Sequence, residues 1–134
     1  VTEANSNTEK QIRELVEQGL DEGLGVDAIG KLIRERTIPM SRLRGHVIAR
    51  TETKFASSWA NDTAAQESGL ELQKEWASGM DDRVRESHFE ADGQRVAMGE
   101  RFNVGGYLLE YPGDASGPAE EVIMCRCVTL YLEV

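Results

Sequence analysis

The spacing of the apolar residues changes at Gly69, and that change constrains the fold more than any other feature. Ahead of Gly69 they recur every three or four positions, the signature of helix faces; beyond it they alternate, the signature of half-buried strands. Thr8 and Gln11 stand at capping-box spacing, and Ile12, Leu15, Val16 and Leu20 follow at helical intervals. This predicts a helix opening near Thr8, behind a frayed polar stretch at 1–7. Gly23 and Gly25 end it. A second helix starts near Val26, carries Ile29, Leu32 and Ile33 on one face, and stops before Pro39. Ser41 is the N-cap of a third and longer helix. There Leu43, Val47, Thr51, Phe55 and Trp59 recur every four residues as one broad apolar stripe, with Ile48 and Ala56 beside it. The opposite face holds Arg42, Arg50, Lys54 and Asp62. Gly45 lies inside this helix, where it marks a place for close packing, and Gly69 caps the C-terminal end.

In the second half, Leu70, Leu72 and Trp76 share a parity that Lys74 interrupts, which predicts a half-buried strand. The stretch DDRVRESHFE reads as one or two helical turns. Asp92-Gly93 is a turn, and QRVAM is a second strand. Two turn clusters, Gly105-Gly106 and Pro112-Gly113-Asp114, bracket a short apolar run. VIMCRCVTLYLEV, rich in β-branched and aromatic residues, reads as the strongest strand and is long enough to be central. The expected class is therefore α+β: an N-terminal helical part of about three helices, followed by a small antiparallel β-sheet. The expected division is a helical segment at 1–40 and a domain at 41–134.

At 134 residues the chain suits a single buried core. It has no run of about 18 apolar residues, so nothing is expected to span a membrane. VTEANSNTEK lacks the apolar region of a signal peptide. A start at Val1 reads as a segment of a longer or processed protein. Two cysteines exclude the disulfide framework of small secreted domains and point to a reducing compartment. The net charge of −9 argues against a dedicated nucleic-acid binder. The charge is uneven: residues 31–54 hold seven basic side chains against two glutamates, leaving −14 on the remainder. Arg42, Arg44, Arg50 and Lys54 make this stripe a candidate docking surface for an acidic protein partner, beside the plain reading of a solvated helix face.

Cys125 and Cys127 flank Arg126. In a strand, residues two apart share a face, so both thiols would point one way and the arginine the other. Same-face thiols can supply two ligands of a tetrahedral zinc site, with His88 and an aspartate, Asp81 foremost, completing the set. The competing reading is plain core packing, the usual fate of free cysteines. A disulfide across such a pair is geometrically awkward, and a catalytic thiol would need His88 as its base. The stretch Asp81, Arg83, Arg85, His88, Asp92 supports two readings. One is a general base oriented by a carboxylate; the other, preferred here, is a network of arginine–aspartate pairs that fixes a loop on the sheet.

IARTETKFASSWANDTA, KEWASGMDDRVRESHFEADGQ, YPGD and AEEVIMCRC together resemble the phage Mu F-like family of minor head, or head morphogenesis, proteins. The matching positions are Ala49 to Glu52, Trp76, Asp81, Arg83, Arg85, His88, Asp92, Gly93, Tyr111 to Asp114, and Cys125 to Cys127. Met124 departs from the asparagine usual before C-R-C in that family. The resemblance implies a minor head protein of a tailed double-stranded DNA phage, few per particle, associated with the portal vertex and acting in head assembly or DNA delivery without catalysis. It implies as partners the portal protein and a major capsid or scaffolding protein, with possible contact to packaged DNA. It implies a place in the virion head, assembled in the host cytoplasm. In that reading Trp76, Arg83, Arg85, Asp92, Gly93 and Arg126 are structural, and no cofactor is needed unless the thiols hold zinc. Two alternatives stand beside it: a metal-dependent nuclease or peptidase built on His88 with Cys125 and Cys127, and a delivery domain preceding a toxin.

Overall fold

A computed structural model describes residues 3–37, 40–79 and 81–134, with side chains from Thr8 onward. Val1 and the expected stop at Pro39 lie outside the described residues. The fold is α+β, as the change of period predicts, and it divides into two compact units, 1–53 and 54–134.

The first unit is helical. Helix α1 spans Glu3–Asp21, so it opens ahead of Thr8, which lies inside it and does not cap it. No proline or glycine stands between Glu3 and Thr8, so turns propagate outward from the buried stretch once it is nucleated. Gly23, at φ 75°, ends α1 as expected. Helix α2 spans Val26–Arg36. Ile12, Leu15, Val16, Ile29, Ile33 and Ala49 form the core of this unit. Close approach needs glycine at two points. A Cβ on Gly19 would lie 2.6 Å from Ile29 Cγ1, and one on Gly45 would lie 2.9 Å from Arg34 Cγ and 3.1 Å from the Gly30 carbonyl oxygen.

Helix α3 spans Arg42–Glu67, and the division between the units falls inside it. Ser41 Oγ accepts the Arg44 N–H at 3.1 Å, the capping bond expected of it, and Gly69 follows the helix at φ 76°. The apolar stripe is not one face. Leu43 is 73% exposed and Trp59 55% exposed, whereas Asp62, assigned to the polar face, is buried. The cause is geometric: a four-residue recurrence advances about 40° per step around a helix of 3.6 residues per turn. From Leu43 to Trp59 the stripe moves about 160°, nearly to the opposite side.

The second unit holds two sheets. Strand β1 (Leu72–Ala77) lies between β2 (Arg95–Ala97) and β5 (Val128–Glu133), antiparallel to both. Strands β3 (Phe102–Val104) and β4 (Tyr107–Leu109) form a hairpin around Gly105 and Gly106, both at positive φ, the conformation that a two-residue glycine turn supplies. Helix α4 spans Glu86–Ala91 and α5 spans Ala119–Val122.

Two strand readings need correction. The last strand is an edge, not central, and it begins only at Val128. The apolar residues before it belong to α5, which Pro118 initiates, and to a left-handed turn at Met124, φ 55°. A short apolar run does not by itself distinguish strand from buried helix. Lys74 does not interrupt the pattern of β1. It is buried on the same face as Trp76. The core of this unit is Trp76, Ala91, Phe102, Val104, Leu109, Val122, Cys125 and Cys127. Among the described residues no helix is long and apolar enough to cross a membrane.

Candidate functional site

His88 sits in the middle of α4 and is almost fully buried. Its Nδ1 lies 3.6 Å from Cys125 Sγ and 3.4 Å from Cys127 Sγ. Both cysteines are buried and free, and they are carried by the segment between the Met124 turn and β5. The thiols therefore do share a face, although the segment is not a strand. The far side of the ring faces a carboxylate, close but without hydrogen-bond geometry. His88 Nε2 is 3.1 Å from Glu121 Oε2, and the buried Glu121 carboxylate accepts the Ser87 hydroxyl at 2.8 and 3.0 Å. The Trp76 indole meets the imidazole edge-on, with ring centroids 5.4 Å apart, and meets Phe102 likewise on another side. The glycine turn of the β3–β4 hairpin presses on this cluster from outside: a Cβ on Gly105 would fall 2.8 Å from Glu121 Oε1.

The two thiols are electrostatically unequal. The hydrogen bond from Cys127, with help from His88, pulls the Cys125 thiol well below its ordinary value, against the penalty of burial. Cys127 is pushed up, because it keeps the proton that it gives in that bond and because it is buried. The buried Trp76 N–H, which has no hydrogen-bond partner of normal geometry, acts in the other direction on Cys127 and favours its thiolate. This set is a preorganised group of one nitrogen and two sulfurs, all three ligand atoms within 4.8 Å of one another. It offers soft donors to a metal, or a thiol–imidazole pair to nucleophilic chemistry. Solvent, and with it a substrate, has almost no access to either.

A second buried polar group lies in the same unit. Lys74 Nζ donates to the Glu110 carbonyl at 2.7 Å, sits 5.2 Å from the Phe102 ring centroid, and is 3.9 Å from Asp62. Asp62 also accepts the Tyr131 hydroxyl at 3.0 Å and the Gln66 amide at 2.7 Å. Burial holds the Lys74 ammonium below its ordinary pKa, and Asp62 offsets part of that fall.

A model of the family described as "Phage Mu protein F like protein" matches residues 10–130. The chain belongs to the phage Mu protein F-like family. A stretch of 115 residues is 33% identical to an NAD(+)–arginine ADP-ribosyltransferase, EFV, of Enterococcus faecalis, covering 84% of this chain and 23% of that protein. The minor head protein GP7 of Bacillus phage SPP1 is 27% identical over 120 residues, 87% of this chain and 38% of GP7. The uncharacterized protein YqbB of Bacillus subtilis is 25% identical over 126 residues, 91% of this chain and 41% of YqbB. The chain thus spans less than half the length of each of these curated relatives. No solved structure matches.

The positions that carry the likeness to the Mu F-like family fall mainly around His88. His88 touches Trp76, Cys125 and Cys127, and Trp76 also reaches Cys127. The Arg85 guanidinium donates to the Ile123 carbonyl, tying the start of α4 to the end of α5. Asp92 Oδ1 accepts the Ser78 N–H at 2.8 Å, and Gly93, at φ 81°, donates its N–H to the Trp76 carbonyl at 2.8 Å. In the YPGD turn, Asp114 accepts N–H groups from Glu110 at 2.8 Å and Ser116 at 2.9 Å, and Gly113, at φ 83°, packs against Lys54. Asp81 is not part of the ligand group. It is exposed and accepts the Arg83 N–H at 2.9 Å in a local turn. Arg83 is exposed and Arg126 half-buried. Among the described residues the expected network of arginine–aspartate pairs does not form; Arg85, Asp81 and Asp92 bond to backbone groups instead. Of the basic stripe, Arg42 and Arg44 are exposed, Arg50 is half-buried, and the stem of Lys54 meets the Gly113 turn. Glu121, Asp62 and Tyr131 were not visible from the sequence as partners. They stand 33, 12 and 57 positions from His88 or Lys74, and no local pattern joins them. Lys74 did carry a signal, its parity with Leu72 and Trp76.

Proposed function

We propose that this domain serves a minor head protein of a tailed double-stranded DNA phage, associated with the portal vertex and acting in head assembly or DNA delivery without catalysis. The observation that carries the reading is the alignment with the minor head protein GP7 over 87% of this chain, inside a family match at 10–130. Burial supports it. The one His–Cys group among the described residues is closed, so its contacts hold α4 against the segment before β5 and present nothing to a substrate. Partners are the portal protein and a capsid or scaffolding protein, and the place of action is the virion head.

The likeness to the ADP-ribosyltransferase supports a second reading, a delivery domain joined to an enzyme. The aligned stretch is under a quarter of that protein, and nearly the same length of this chain aligns with a head protein. What the relatives share is therefore taken as the head-type domain, and the transfer activity belongs to the whole enzyme. Incubating this chain with NAD and an arginine-bearing acceptor should give no transfer under the first reading.

Arg42 and Arg44 are exposed at the start of α3 and are the basic residues best placed to meet an acidic partner. Reversing both to glutamate should abolish co-sedimentation with phage heads while leaving the helical content unchanged. Unaltered co-sedimentation would remove this surface from the account.

A further inference from the structure

We propose that His88, Cys125 and Cys127 bind a structural zinc ion. Three observations support the site. The first is distance. Tetrahedral zinc with a Zn–N bond of about 2.0–2.1 Å and Zn–S bonds of about 2.3 Å places nitrogen and sulfur about 3.6 Å apart. The two nitrogen–sulfur separations here are 3.6 and 3.4 Å.

The second is convergence. The Nε2 edge of the ring faces the Glu121 carboxylate at 3.1 Å, and the Nδ1 edge faces the two thiols. Two sulfurs converge on that one nitrogen. A metal at the centre of the three atoms satisfies all of them at once. The carboxylate behind the imidazole is also the arrangement that orients a histidine ligand and raises its basicity, and Ser87 in turn fixes that carboxylate.

The third is charge in a closed place. His88, Cys125 and Cys127 are each at most 3% exposed. Two thiolates neutralise a divalent cation, so the assembled centre carries no net charge of its own where isolated ions would be costly. Thiolate and imidazole together favour zinc over the hard cations. No other histidine, cysteine or carboxylate among the described residues joins the group, so the protein supplies three ligands. The ion links α4 to the segment before β5, and its role is to hold them together.

The test is metal content of the full chain, purified without chelator, followed by cobalt(II) titration of the stripped protein. The expected result is one zinc per chain and a thiolate-to-cobalt charge-transfer band that saturates at one equivalent. Cys125→Ser and Cys127→Ser should each lose the band, and His88→Cys should keep it. Chelation should lower the melting temperature of the wild type and leave that of His88→Ala unchanged. Should the serine variants fail to fold, the wild-type titration decides alone. A folded wild-type chain with only trace metal and no band at saturating cobalt would overturn the proposal, and would make the cluster a hydrogen-bonded thiol–imidazole group.

Discussion

Truncating Trp76 to alanine is expected to destabilise the 54–134 unit by about 3–5 kcal/mol, the usual cost of removing a large buried aromatic. Trp76 has no exposed surface and lies on the central strand β1. Its ring is in edge contact with both His88 and Phe102, so the cavity would open where the histidine cluster meets the hydrophobic core. Neighbouring groups cannot collapse into it without breaking the contact of His88 with Cys125 and Cys127. Trp76→Phe should cost less, since it keeps a ring in the same place. Urea denaturation followed by circular dichroism measures the difference. A loss below about 1 kcal/mol for Trp76→Ala would mean that the core is not packed as described.

Asp62→Ala is the second large effect expected, again about 3–5 kcal/mol, because it removes one side of a buried charged group. The carboxylate receives Tyr131 and Gln66 and stands 3.9 Å from a lysine with almost no exposed surface. Its loss leaves all three without that acceptor. Lys74→Met should be milder, since the ammonium stands 3.9 Å from Asp62, which keeps the hydrogen bonds from Tyr131 and Gln66, and methionine fills a similar volume. The double variant should therefore be more stable than Asp62→Ala alone. Denaturant melts of the two singles and the double give the coupling directly. Strictly additive losses would show that the two side chains do not act on each other.

Much of the architecture was legible because it depends on local pattern. Ser41, Gly23, Gly69 and Asp92-Gly93 each fix a boundary by chemistry that acts within a few residues, and each stands at the boundary expected. The reading failed where geometry accumulates or where context decides. The four-residue stripe of α3 drifted off its face by Trp59. The apolar residues before C-R-C were split between α5 and a left-handed turn, a choice set by Pro118 and Met124 and not by hydrophobicity. Lys74 reads as an interruption in the sequence because the partners that a buried ammonium needs, Glu110 and Asp62, stand far from it in the chain.

The likeness to a phage head family was legible from ordered short motifs, and the family match over 10–130 agrees with it. The grouping of His88 with the two cysteines followed from residue type alone. Glu121 behind the imidazole could be found only in three dimensions, as could the exclusion of Asp81 from the group.

The central claim is that the His88 cluster works by holding the domain together for assembly, and not by turning over a substrate. The direct measurement is His88→Ala, scored both for unfolding and for the amount of protein incorporated into phage heads. The account predicts a clear fall in stability and a matching fall in incorporation. A His88→Ala protein that melts like the wild type and enters heads in normal amount would contradict it.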